Sequence, residues 1–182
     1  MRKEIKSRIA ALDKEYIIQS DRAIFEKIIT LPEFISAPRV FVYLSIGREP
    51  DTRALIRYCW AQGKIVAIPH DYKKDGVMCF ALLDRPIEAL QSGTFGIPVL
   101  PDEAERLVPR KDDIIIVPAL CFDENAYRLG RGGGYYDRYL AEHRVFSVGL
   151  CREKLLLSAV PRDAYDRRTD AIITDKRIAR PE

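Results

Sequence analysis

Asp123-Glu124-Asn125-Ala126-Tyr127-Arg128-Leu129-Gly130-Arg131-Gly132-Gly133-Gly134-Tyr135-Tyr136-Asp137-Arg138 is the stretch around which the chain is arranged. Four of the ten glycines fall within positions 130–134, between Arg128, Arg131 and Arg138. Glycines so dense weaken any strand or helix interior, so the segment reads as a loop. With no side chains in the way, successive backbone N–H groups can turn toward one point and bind anions. A helix starting just beyond adds its positive dipole end, and Tyr135-Tyr136-Asp137-Arg138-Tyr139-Leu140 has the character of such a start. The plainer alternative is a flexible loop carrying three solvated arginines. Two familiar phosphate motifs fail: no Lys-Ser or Lys-Thr follows the glycines, and the last slot of G-x-G-x-x-G falls on Tyr135 or Asp137.

The segment feeding this loop, Asp112-Asp113-Ile114-Ile115-Ile116-Val117-Pro118, is the strongest strand signal in the chain. Nearly continuous apolar runs recur at Arg39-Val40-Phe41-Val42-Tyr43-Leu44-Ser45, Lys64–Pro69, Val77–Leu83, Val145–Cys151 and Ala171–Thr174. Such runs suit strands covered on both faces. Asp51 is placed to cap a helix over Thr52–Gln62 that Gly63 stops, which makes a βαβ unit with a right-handed crossover. Residues 2 to about 30 have helical periodicity in two pieces, with Asp13 as the cap between them. Pro32 and Pro38 bracket a connection, Lys74-Asp75-Gly76 suggests a turn, and residues 84–110 read as irregular with one short helical piece near Ile87. The expected fold is α/β: one domain over residues 1–182, an open, mostly parallel sheet with helices on both faces, Rossmann-like and three-layered. Ligands then bind beyond the carboxyl ends of the strands. The glycine loop, Glu49 and His70 all follow such ends.

Composition narrows the function. Apolar residues make up 47% and charged residues 31% of 182, with a net charge of +3. These values suit a soluble domain, with no membrane association and no strong nucleic-acid attraction. No apolar run approaches the ~18 residues of a membrane span, and Met1–Lys6 has no apolar signal core, so a cytoplasmic protein is expected. The four cysteines lie far apart without a C-x-x-C pair and read as buried hydrophobes.

The eleven residues Arg128–Arg138 resemble the signature of the 5-formyltetrahydrofolate cyclo-ligase family (methenyltetrahydrofolate synthetases). The likeness extends to the basic N-terminal helix, Tyr43-Leu44-Ser45 with Glu49 and Thr52, Phe95-Gly96-Ile97-Pro98, Pro118 through Asp123, Val160-Pro161 and Thr169-Asp170. The resemblance implies a ligase of folate one-carbon metabolism that uses ATP and Mg²⁺ on a reduced folate, as a monomer or weak dimer. Catalysis would fall to Arg131 and Tyr135. Arg2, Lys3, Arg128, Gly130, Arg131, Gly132, Gly133, Gly134, Tyr135 and Tyr136 would bind ATP. Glu49, Met78, Phe80 and Tyr135 would meet the folate, and Asp137 and Asp170 the metal.

The chain departs from the family pattern in several places. By spacing to Leu12-Asp13, Arg2 stands at the family's helix arginine, with Lys3 a substitute for its lysine. Val99 replaces an acid, and Ala126 a turn glycine. Arg152-Glu153-Lys154-Leu155 replaces an aromatic–x–x–Gln. These changes motivate an alternative, a relative that binds folate or nucleotide without turnover.

Overall fold

A computed structural model of the protein describes residues 1–70, 77–92 and 98–181. The turn expected at residues 74–76 and the Phe95–Ile97 motif lie outside the described residues.

The helices are α1 (Arg2–Ala10), α2 (Lys14–Ile28), α3 (Pro32–Ser36), α4 (Arg53–Ala61) and α5 (Tyr135–Glu142). The strands are β1 (Arg39–Val42), β2 (Ile65–His70), β3 (Cys79–Leu82), β4 (Gln91–Ser92), β5 (Pro98–Val99), β6 (Arg106–Leu107), β7 (Ile114–Val117), β8 (Cys121–Asp123), β9 (Arg128–Leu129), β10 (Phe146–Leu150), β11 (Leu156–Leu157), β12 (Ala171–Ile173) and β13 (Ile178–Ala179). Four β-branched residues in a row leave β7 no polar face, so it is stable only between two covered layers. All four are buried, and β7 lies mid-sheet with parallel neighbours β1 and β10. The main sheet runs β13-β12-β10-β7-β1-β2-β3-β6. Its five central strands are parallel, and β13, β3 and β6 are antiparallel at the edges.

On one face, Ile24 and Ile28 of α2, Phe34 of α3 and Leu55, Ile56 and Cys59 of α4 pack on Val40, Val42, Val66, Ile114, Ile116 and Val148. The other face carries Phe41, Ala67, Ile115 and Val117 beneath Tyr139 of α5. It is shared with a small sheet, β11-β8-β9, whose Phe122 clusters with Ile5, Leu12 and Ile172. Layers on both sides of a mostly parallel sheet bear out the expected architecture. One expectation is corrected. The chain does not pass straight from β7 into the glycine loop, because Phe122 and Leu129 have their own apolar layer to join and the β8–β9 hairpin intervenes. Phe122 lies directly on the backbone of Gly149, where a Cβ would stand 2.3 Å from its ring.

Local signals set several boundaries. Asp13 caps α2, accepting from Glu15 N at 2.8 Å and Tyr16 N at 3.3 Å, an arrangement worth about 1 kcal/mol. Asp51 accepts from Arg53 N at 3.1 Å as α4 begins. The segment between Pro32 and Pro38 is not all connection, since Pro32 opens α3 from a position that needs no N–H. Between β1 and β7 the strand order changes direction, and this reversal creates a crevice beyond their carboxyl ends.

Candidate functional site

The loop from Gly130 to Gly134 comes to that crevice. Gly132 at φ +106° and Gly134 at φ +66° occupy backbone regions that L-residues adopt at a cost of roughly 1 kcal/mol or more. Gly134 is the N-cap of α5, and no side chain caps the helix. The positive end of the helix dipole is thus aimed at the glycine loop, where it favours an anion. Gly133 makes room for Tyr135, whose ring would lie 2.6 Å from a Cβ at that position. The Arg138 guanidinium sits 5.8 Å from the centre of the same ring.

Charged side chains converge on the loop from two other parts of the chain. Arg2 on α1 donates through Nε to Gly130 O at 3.0 Å, so the N-terminal helix does reach the loop. Lys3, next to it, is exposed. From the loop itself Arg131 crosses to Glu49, 2.7 Å from Oε1. Glu49 Oε2 accepts from Ile46 N at 3.0 Å. Glu49 follows β1 and Arg131 follows β7 and the hairpin, so the crevice brings together what the sequence separates by 82 positions. Arg131 is 58% exposed and Glu49 15%, which makes the arginine the mobile partner.

Arg128 behaves differently from the expectation that it would meet ATP. The alternation of β9 turns it inward, and its side chain is only 4% exposed. It donates to Arg167 O and to Asp137 Oδ1, both at 2.6 Å. Arg167 N donates to the same Asp137 oxygen at 3.1 Å. Burial pulls the Arg128 pKa down, and the Asp137 carboxylate offsets part of this. Arg128 therefore anchors the first turn of α5 from beneath, while Arg2, Arg131 and Arg138, which donates to Gly133 O, are the guanidinium groups at the loop. Phe80 is likewise fully buried, its ring 5.4 Å from that of Phe41 and 6.4 Å from that of Tyr136. Met78 is 5% exposed in the same cluster. Both form the wall behind Tyr135 and Tyr136 rather than an open surface.

Asp170 is exposed and accepts from Ser147 N and Oγ, each at 2.7 Å, near the start of β10. It lines an open cavity of about 380 Å³ with Lys111, His143, Arg144, Arg167 and Arg168. This cavity opens at the amino ends of β7 and β10 and beside the last turn of α5, away from the crevice at the carboxyl ends of the strands. The expectation that Asp170 meets the metal with Asp137 is therefore corrected: its bonds to Ser147 hold it at the opposite end of the sheet, whereas Asp137 stands in the first turn of α5. Residues absent from the sequence reading include Asp21, Arg48 and Ser147. Arg152 entered it only as a lost aromatic, whereas its side chain is entirely buried behind the Glu49 loop. His70, also placed past a strand end, is 8% exposed.

Buried cysteines offer no reactive thiolate. Burial is the main cause that raises Cys121 to about 11 and Cys59 and Cys151 to about 12. No helix among the described residues is long and apolar enough to cross a membrane.

Residues 1–175 match the model of the 5-formyltetrahydrofolate cyclo-ligase family. A probable 5-formyltetrahydrofolate cyclo-ligase of Schizosaccharomyces pombe is 28% identical, over 99% of this chain and 96% of its own length. The 5-formyltetrahydrofolate cyclo-ligase of Escherichia coli is also 28% identical, over 96% and 98%. In three dimensions the chain resembles the 5,10-methenyltetrahydrofolate synthetase of Aquifex aeolicus, with a TM-score of 0.81 at 30% identity, covering 98% of this chain and 89% of that one.

Proposed function

Because the chain belongs to the 5-formyltetrahydrofolate cyclo-ligase family, we propose that it closes 5-formyltetrahydrofolate to 5,10-methenyltetrahydrofolate, with ATP converted to ADP and phosphate. The formyl oxygen takes the γ-phosphoryl group, giving an iminium phosphate. N10 then attacks the formyl carbon, the C–O bond breaks, and phosphate leaves with that oxygen. Phosphoryl transfer depends more on alignment and charge stabilisation than on a strong base.

Each of those needs has residues to meet it. Arg131, the amides of Gly132–Gly134 and the dipole end of α5 bind the phosphates. Arg2 fixes the loop from Gly130 O. Glu49 takes the amino and ring N–H donors of the pterin through charge-assisted hydrogen bonds, and Tyr135, backed by Tyr136, Phe80 and Met78, orients the folate. Among the described residues no group of three or more His, Cys, Asp or Glu could cage a metal. Magnesium commonly needs no such cage, taking one or two carboxylates along with phosphate and water oxygens. The described bonds to Asp137 use one of its oxygens, so the other would hold Mg²⁺ together with phosphate and water oxygens, and the ion when bound would offset the charge on the phosphates.

The Arg131–Glu49 contact is the observation that supports this reading most, because it brings the glycine loop and Glu49 side by side in one crevice. Mixing the pure protein with 5-formyltetrahydrofolate, ATP and Mg²⁺ should produce methenyl product by absorbance, with one ADP and one phosphate each. Folded protein that binds ATP yet forms no product would refute the proposal.

A further inference from the structure

Arg152 follows the last residues of β10 and has a fully buried side chain. A cation there is tolerated only when its charge and donors are met. Its Nη1 lies 2.8 Å from Asp21 Oδ1, and it also donates to Ser20 Oγ and, at 3.3 Å, to Ile17 O, all on α2. Its Nη2 donates in the opposite direction, to Glu49 O at 3.3 Å and Arg48 O at 3.4 Å. Nε is buried with no hydrogen-bond partner, so the group is held entirely through its two ends. Asp21 completes the figure, because the oxygen that pairs with Arg152 also accepts from Asp51 N at 3.1 Å. The loop between β1 and α4 is thus gripped at residues 48 and 49 by the cation and at residue 51 by the anion. Arg48 extends the hold to α1, donating to Ile9 O at 3.3 Å and to Leu12 O, just past the helix, at 2.5 Å.

We infer that the buried Arg152–Asp21 pair is a positioning device for Glu49 and sets the enzyme's affinity for its folate and not for its nucleotide. The inference rests on the reading of Glu49 as the pterin contact. A planar guanidinium suits this task because its two Nη groups diverge, one to the helix and one to consecutive loop carbonyls. An apolar side chain of similar size would fill the space and leave the carbonyls of Arg48 and Glu49 without donors. The loop would then choose its own path, and a displacement of a fraction of an ångström at Glu49 is enough to weaken an oriented charge-assisted bond. With the folate saturating, Glu49 is occupied by the pterin and the glycine loop is set by its own backbone and by Arg2, so KM for ATP measured under that condition does not depend on this pair.

The test uses the full chain and steady-state kinetics with each substrate varied in turn and the other saturating, alongside thermal unfolding. Arg152→Met should raise KM for 5-formyltetrahydrofolate roughly 10-fold, with KM for ATP changed less than about two-fold. Arg152→Lys keeps the pairing with Asp21 and should recover part of the loss. Asp21→Asn should act in the same direction, and the double variant should be no worse than Arg152→Met alone, because the two groups work as one. If Arg152→Met does not fold, Asp21→Asn, at a partly exposed position, carries the same comparison. A lowered Tm with both KM values unchanged would overturn the inference and leave the pair a purely structural feature. Glu49→Gln separates the premise from the inference. If it raises the folate KM while the clamp variants do not, only the inference fails; if it leaves the folate KM unchanged, the reading of Glu49 fails and the inference with it.

Discussion

Replacing Gly149 with alanine places a methyl group where Phe122 already lies. The new Cβ would stand 2.3 Å from Cζ, 2.4 Å from Cε1 and 3.0 Å from Cε2 of that ring, whereas carbon atoms rest about 3.5–4.0 Å apart. The ring must therefore retreat by more than about 1 Å. It has nowhere open to go, since Phe122 is fully buried among Ile5, Leu12, Leu129 and Ile172. Overpacking of this kind costs about 1–3 kcal/mol, and a clash along a whole ring edge belongs at the upper end. For a chain of 182 residues, about 3 kcal/mol converts to a fall of roughly 6–12 °C in Tm. Thermal and urea unfolding by circular dichroism measure it directly. Activity should fall too, since a shifted hairpin carries Arg128 and with it the first turn of α5. In a Phe122→Leu background the same substitution should cost less than about 1 kcal/mol, leaving a coupling of about 2 kcal/mol. A Tm shift below about 2 °C, or equal losses in both backgrounds, would refute the reasoning.

Ala126 holds φ +62° with no exposed surface. Ala126→Gly relieves about 1 kcal/mol of left-handed strain but removes a buried methyl worth about 0.8 kcal/mol and loosens the unfolded chain. It should prove nearly neutral by urea midpoint, whereas Ala126→Val should lose at least about 2 kcal/mol. The Arg131–Glu49 pair, with an arginine more than half exposed, is worth at most about 1 kcal/mol of stability. Arg131→Ala should thus leave Tm within a few degrees while raising KM for ATP several-fold, and an unchanged KM would remove Arg131 from the phosphate site. Stability should decline as pH rises. The thiols of Cys59, Cys121 and Cys151 are raised in the fold to about 12, 11 and 12, so above about pH 9 the unfolded chain loses protons the folded one keeps. Urea midpoints should be flat below that point and fall through pH 9–11, and a midpoint rising over that window would contradict the burial of these groups.

The parallel centre of the fold was legible because its strands are covered on both faces. Ile114–Val117 and Val40–Val42 have no polar alternation to confuse, and Asp13 and Asp51 mark helix starts with bonds that form locally. The small sheet was hidden because its strands are two or three residues long. Their pairing is settled by what packs on Phe122 rather than by a periodicity of their own. The same cause misdirected the reading of Arg128, whose neighbours in sequence are the loop but whose neighbours in space are Asp137 and Arg167. Glu49, Arg2 and Arg131 could be grouped in advance through the strand-end rule and the family likeness. Arg152 could not. A basic residue after a strand ordinarily faces solvent, and nothing near it in sequence announces Asp21.

Arg131, proposed to meet the nucleotide, and Glu49, proposed to meet the pterin, are bonded to each other. Occupancy of either half then breaks the same contact, so the second arrival no longer has to. Thermodynamic linkage makes this reciprocal: whatever MgATP does to the dissociation constant of the folate, the folate does by the same factor to that of MgATP. On those proposed roles, a single ion pair joins the two binding equilibria.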